Sequence, residues 1–329
     1  PTVVNCTFSS NHASYGGAIY NTGSSPALTS VTFSDNTSAN SGGAVQNESD
    51  SNPTLVNVMF AGNSASLGGG GGMYSTGSSN LSLTNVEFTG NYGHSHGSGG
   101  GLYVVGGTFT LTDVLFESNY STGIGRGGAM LVSGATGTMT RVSFVGNYSS
   151  ETDSGGGAVW LDSGDLTATD CRFEGNSSGA GGALYNDDGT VSLQDSSLVY
   201  NFARGQGGAI WNDNTGTVLL QGCTLAGNEA DLSDGGGAYN AGQLTLVNST
   251  VSGNVARGHG GGLLTLQTGG PGAVTRLYNV TVTANVADSA AADAGDGGGL
   301  YYDGSAPVIS NSIIASNLDN TSSGSQAPD

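Results

Sequence analysis

Lysine is missing altogether from this chain of 329 residues, and six arginines stand against 25 acidic side chains, for a formal net charge of −19. A surface of that sign is repelled by phosphate backbones, which excludes nucleic acid as an expected partner. No apolar run reaches the roughly 18 residues that cross a bilayer, and no basic-then-apolar start marks a signal peptide. An initiator methionine is also missing, so the chain reads as a processed or partial product. The Leu, Lys and Glu content that packed helices need is low. In its place are 60 glycines with abundant Ser, Thr and Asn, which suit short strands and turns. Such a composition also fits disorder, but disordered chains lack regularly spaced apolar residues, and here these recur throughout.

What recurs is a glycine pair, first in Gly16-Gly17-Ala18-Ile19-Tyr20-Asn21 and last in Gly297-Gly298-Gly299-Leu300-Tyr301-Tyr302. The position after the pair holds only Ala or Gly: Ala18, Ala44, Gly72, Gly101, Ala129, Ala158, Ala183, Ala209, Gly237, Gly262 and Gly299. Next comes an apolar column that includes Ile19, Val45, Met73, Leu102, Met130, Val159, Leu184, Ile210, Ala238, Leu263 and Leu300, as a position facing a core requires. The column after that is mostly aromatic: Tyr20, Tyr74, Tyr103, Trp160, Tyr185, Trp211, Tyr239 and Tyr301, broken by Gln46, Leu131 and Leu264. In a strand it must face the opposite way, so these rings are expected to form an outward ladder beside a glycine-floored strip, either open to a sugar chain or a neighbouring molecule or covered by the variable loops folded over it.

A second landmark keeps step with the first. Asn11, Asn36, Asn63, Asn91, Asn119, Asn147, Asn176, Asn201, Asn228, Asn254, Asn285 and Asn317 recur at about 28 residues, the period of a solenoid. Each follows the pattern seen in Leu55-Val56-Asn57-Val58-Met59-Phe60-Ala61-Gly62-Asn63, where the gap from Leu55 to Val58 breaks the period of two and implies a bend between short strands. Phe fills the last apolar position from Phe8 to Phe173, and Leu198, Leu225, Val251, Val282 and Ile314 fill it afterwards. Length varies mainly between the Asn and the next glycine pair, which stacks insertions at one corner. Parallel crossovers are right-handed in nearly all proteins. The expected fold is therefore all-β: a right-handed parallel β-helix of about twelve coils with three short strands each. It should occupy residues 1–318 as a single domain, with 319–329 as a polar tail or linker. The recurring Asn should form an internal amide ladder, taking left-handed backbone geometry at a turn.

Phe8-x-x-Asn11 paired with Gly16-Gly17-Ala18-Ile19 resembles the repeat of the polymorphic outer-membrane proteins. Asn52-Pro53-Thr54-Leu55-Val56-Asn57-Val58 and Leu83-Thr84-Asn85-Val86 also resemble large bacterial surface proteins with β-helical repeats. The resemblance covers the whole chain and implies an exported, adhesin-like or autotransporter-type protein. It specifies fold and surface location far better than ligand.

Groups with chemical potential are few. Cys6, Cys171 and Cys223 share the inward column of Val31, Val58, Val86, Val114 and Val142 and lie in coils too far apart to pair, so they read as buried thiols rather than a disulfide. His12, His94, His96 and His259 lie in the variable corner; His94 with His96 forms the one candidate metal pair, against the default of exposed loop histidines. Calcium is the one conceivable cofactor. It would bind at the acidic loops of Glu151 and Asp153, of Glu229, Asp231 and Asp234, or of Asp288, Asp293 and Asp296, against the plainer reading of solvated charge. Asn186-Asp187-Asp188 and Gly258-His259-Gly260 resemble fragments of the pectin-hydrolase signature, but they should fall at different corners about three rungs apart, out of reach of one bond.

The leading expectation is a non-enzymatic extracellular or cell-surface rod, structural or adhesin-like, self-associating or contacting another surface protein or a glycan. A carbohydrate-active β-helix enzyme or glycan-binding module is the alternative. Both Pro1–Phe8 and the last coil, with Ile309, Ile313 and Ile314, are expected to be open edges covered by protein, as in a head-to-tail fibre.

Overall fold

The structure, a computed structural model, describes residues 1–94, 98–152, 155–267, 272–287 and 295–320. His96, Asp153, Asp288, Asp293, the stretch 268–271 and the tail 321–329 lie outside these. The chain forms two compact units: an N-terminal one of Pro1–Glu151 with Gly157–Thr167, and a C-terminal one of Thr152–Gly156 with Ala168–Asp329. Among the described residues the regular structure is entirely β.

In the N-terminal unit one coil consists of Leu102–Val105, Thr108–Glu117 and Tyr120–Ser121. Its long strand lies parallel to Asn80–Thr89 with Leu81 opposite Phe109, Leu83 opposite Leu111, Val86 opposite Val114 and Phe88 opposite Phe116. Equivalent residues of successive repeats therefore stack directly. The rings of Phe33, Phe60, Phe88 and Phe116 follow at centroid separations of 4.9, 4.6 and 4.8 Å, the spacing of neighbouring strands. Val45, Met73, Leu102 and Met130 are buried, as are Val31, Val58, Val86, Val114 and Val142, so both apolar columns face inward as the register argument requires.

The C-terminal unit repeats the scheme with smaller side chains. Phe173, Leu198, Leu225, Val251, Val282 and Ile314 succeed one another in register, and Leu184, Ile210, Ala238 and Leu263 fill the other inward column. Cys171 and Cys223 are buried thiols in the expected column; Cys6 is exposed, because no described coil stacks on its outer side. Ile309, paired with the buried Leu277, is exposed for the same reason, whereas Val4 and Ile313 stand in the outward columns of Thr29 and Thr281.

Three columns of left-handed residues turn each coil. The first occupies the three-residue gap, at Asn57, Asn85 and Asp113 (φ 55°, 53° and 55°). Thr54–Ala61, Asn80–Thr89 and Thr108–Glu117 each run through the bend as one strand, while at Ser30, Arg141, Asp195 and Asn248 the same left-handed residue divides two strands as expected. The second column is the residue just before the ladder asparagine, such as Gly62, Gly90 and Ser118. This corrects the expectation that the asparagine itself is left-handed: its neighbour makes the turn, and its own N–H remains directed along the stack. The third is the first glycine of the pair. The second glycine is fixed by crowding, since a Cβ on Gly100 would lie 2.5 Å from the Tyr120 carbonyl oxygen.

The asparagine ladder saturates the amide. Asn91 donates through Nδ2 to Asn119 Oδ1 (2.9 Å) and to the Phe60 carbonyl (2.8 Å), and its backbone N–H donates to the same Oδ1 (3.0 Å). Its own Oδ1 accepts from Asn63 N and Nδ2 at 3.0 and 2.9 Å. Asn228 is placed identically in the C-terminal unit, between Asn201 and Asn254. No other side chain offers two donors and a doubly accepting oxygen at this reach.

Candidate functional site

The aromatic column faces away from the apolar one, and of the two expectations for it, open or covered, cover prevails over much of its length. In the N-terminal unit Tyr20 is 48% exposed, its hydroxyl donating to Glu48 Oε2 at 2.6 Å. Tyr74 and Tyr103 meet edge to face at 5.1 Å and are half-buried, whereas Trp160 is 1% exposed. In the C-terminal unit Tyr185, Trp211 and Tyr239 form a stack with centroid separations of 4.1 and 5.9 Å, and Tyr239 packs with Ala241 and Leu264. Burial pushes the Tyr239 phenol up to about 12, and raises that of Tyr103.

The cover comes from residues immediately before the glycine pair. Arg126 places its Cζ 4.2 Å from the Trp160 ring centroid. Gln206 accepts from Trp211 Nε1 at 3.3 Å. His259 stacks on Tyr301 at 4.3 Å, while its Nδ1 accepts from the Asp296 N–H at 2.9 Å. These three were not singled out as cover by the repeat pattern. Their signal was positional: each occupies the last place of the variable corner, from which the left-handed glycine turns the chain back over the strip.

The other candidates are taken up by the scaffold or kept apart. Asn186 belongs to a second buried amide ladder, with Nδ2 donating to Asn212 Oδ1 at 2.8 Å, and Asn212 in turn to Asn240 Oδ1 at 2.8 Å. Asp187 and Asp188 follow it within the same strand, Leu184–Gln194, while His259 occupies the glycine corner, so the two hydrolase-like fragments lie at different places in the coil. Asp234 Oδ1 accepts from the His259 backbone N–H at 2.7 Å. Among the described residues no three His, Cys, Asp or Glu side chains gather as metal ligands. His12 Nδ1 lies 2.8 Å from Thr37 Oγ1. His94 packs on Tyr92, and burial lowers its pKa.

Two concavities lie on the N-terminal unit. A groove of 500 Å³ follows the first bend past Asn57, Asn85 and Asp113, but its polar groups are engaged with one another. Asn85 Nδ2 donates to Asn57 Oδ1 (2.7 Å), and Arg141 grips Asp113 through two hydrogen bonds of 2.6 and 2.9 Å, holding its carboxyl below the usual range. The second, a cleft of 270 Å³, opens where Leu131 interrupts the aromatic column. Tyr103 and Trp160 flank it, and Arg126, Ser133 and Asp162 line it. Here the residues named from sequence, Tyr103 and Trp160, are brought together with a cation and a carboxylate.

A parallel solenoid with stacked cores and amide ladders defines a class, and the comparison with protein families agrees. The chain belongs to the right-handed β-helix family, whose model, described as right handed beta helix region, matches residues 1–167 and 156–326. No curated protein and no solved structure matches it.

Proposed function

We propose that this chain is a non-enzymatic, adhesin-like contact protein of the cell surface or extracellular space, its β-helix serving as a scaffold that presents short corner loops and a small cleft to a glycan or to another surface protein. One observation carries the reading: the cleft on the aromatic column is lined by a single carboxylate, Asp162, and that group is already held by Ser133 Oγ, which donates to Oδ2 at 2.7 Å. Hydrolysis of a glycosidic bond ordinarily takes two carboxyl groups about 5 to 9 Å apart, one to protonate the leaving oxygen and one to attack or activate water. Neither hydrolase-like fragment, Asn186-Asp187-Asp188 or Gly258-His259-Gly260, is among the residues that line this cleft. The likeness of the repeat to polymorphic outer-membrane proteins supports export and surface display. Incubation with neutral and acidic polysaccharides should release no new reducing ends and no unsaturated products. Antibody against the chain should label intact cells of the source organism. Turnover of any polysaccharide would refute the non-enzymatic reading, and labelling confined to permeabilised cells would refute the location.

A further inference from the structure

We propose that the cleft between Tyr103 and Trp160 binds a neutral sugar, one or two pyranose rings at the end or edge of a glycan, with Tyr103 supplying the ring face and Arg126 with Asp162 reading adjacent hydroxyls. The proposal deepens the contact-protein reading and rests on it.

The cleft arises where the column changes from aromatic to Leu131 for one rung. Tyr103 and Trp160 are then two rungs, about 9.6 Å, apart along the stack, with the buried Leu131 as floor between them. Its 270 Å³ lies just below the usual range for drug-sized ligands and suits one or two sugar rings.

The polar groups are held in place before any ligand arrives. The Arg126 backbone N–H donates to Ser98 Oγ at 3.1 Å, and Ser98 is itself buried. The guanidinium carbon sits over the Trp160 ring, 4.2 Å from its centroid, which holds the cation in place while the residue remains exposed to solvent. Asp162 is oriented by Ser133. Trp160 is thereby a positioning residue for Arg126, and Tyr103, half-buried, offers the ring for stacking. Little side-chain freedom remains to be lost on binding.

The charge balance selects the ligand class. Arg126 and Asp162 both act electrostatically on the Tyr103 hydroxyl, in opposite directions. One fixed donor fork beside one fixed acceptor matches a pair of vicinal hydroxyls, each of which both donates and accepts. An anionic sugar or phosphate finds no uncompensated positive charge here, on a chain of net charge −19. A cationic ligand meets Arg126 already seated on the Trp160 face.

The test is a titration of the whole chain, followed through its two tryptophan indole N–H resonances. The probes are di- to tetrasaccharides of glucose, galactose, mannose and N-acetylglucosamine, with tetragalacturonate as the charged probe. At least one neutral series should shift the Trp160 resonance and leave that of Trp211 unmoved. Arg126→Ala and Tyr103→Ala should each weaken that binding by about tenfold or more, and Asp162→Asn should narrow the preference over tetragalacturonate. Arg126→Ala uncovers one face of Trp160 and should lower the melting temperature by no more than about 2–4 °C, so that its binding is read on folded protein. The proposal is overturned if no neutral probe moves Trp160, if binding survives Arg126→Ala undiminished, or if tetragalacturonate binds best. Release of reducing ends by a bound neutral probe would leave the site standing and overturn the non-enzymatic reading instead.

Discussion

In the N-terminal unit the last inward position is Phe in every coil from Phe8 to Phe144, and the position after the aromatic column turns apolar at Val104, Val132 and Leu161. In the C-terminal unit the first column passes from Phe173 to Leu198, Val251 and Ile314, and the second holds the hydrogen-bonded Asn186, Asn212 and Asn240. The backbone path and its left-handed corners are the same in both. What differs is the occupant of each column, and within a unit the occupants change gradually because each side chain's nearest neighbour is its equivalent one strand spacing away. Like therefore stacks on like, whether as rings, aliphatics or amides. At one break in likeness, Leu131 between Tyr103 and Trp160, a cleft opens, whereas at another, Leu264, the side chain packs with Tyr239.

The largest expected effect comes from a column the units share. Asn119→Asp replaces two donated bonds, to Asn147 Oδ1 and the Phe88 carbonyl, with oxygen facing oxygen inside the core. It should cost about 3–5 kcal/mol by denaturant titration, and Asn228→Asp should cost a similar amount in the other unit. An unchanged midpoint for either would remove the ladder from its central place.

Next come the columns that differ. Phe116→Ala deletes a ring stacked on both sides and should cost about 3–5 kcal/mol, against about 2–4 for Leu225→Ala, which removes a smaller side chain. Equal costs would mean that the units pack alike despite their different occupants.

Smaller again is an alkaline effect, largest in the C-terminal stack. The unfolded Tyr239 phenol loses its proton near pH 10, whereas the native one keeps it to about 12. Between those values the native state holds more protons than the unfolded state, so stability falls as pH rises. The loss should reach about 2–3 kcal/mol by pH 12 and be absent below pH 9. Tyr239→Phe should remove this part of the slope; an identical profile in the variant would contradict the burial of that ring. The smallest effect belongs to the exposed Arg141–Asp113 pair. Arg141→Met should return the Asp113 carboxyl to its ordinary range, visible by NMR titration, without a measurable change in the unfolding midpoint.

The coil path was legible because three columns carry strict requirements that the sequence cannot hide: a glycine at the left-handed corner, a small residue after it, and an asparagine that must satisfy four hydrogen bonds. The bend at Asn57 and Asn85 was legible as a break in period; that the strand runs on through it there, while it divides at Ser30 and Asp195, was not. The second ladder was missed because Asn186 carries a resemblance to a catalytic motif, and nothing in a local reading says that Asn212 and Asn240 lie above it. The direction of the aromatic column was readable, and cover by the variable corner was one of two open readings; the residues that supply the cover were not readable. Burial depends on Arg126, Gln206 and His259, side chains of different chemistry whose only common property is their place before the glycine. The cleft was out of reach for the same reason: it is made by one substitution, Leu131, and a loop residue from the same coil.

Direct stacking of equivalent residues, on which the columns, the ladders and the cleft all depend, is tested by NMR. The account predicts nuclear Overhauser contacts between the rings of Phe88 and Phe116 and between the methyls of Val86 and Val114, together with slowly exchanging side-chain amides on Asn91, Asn119, Asn228 and Asn254. Contacts displaced by a residue in register, or ladder amides that exchange as fast as an exposed asparagine, would contradict it.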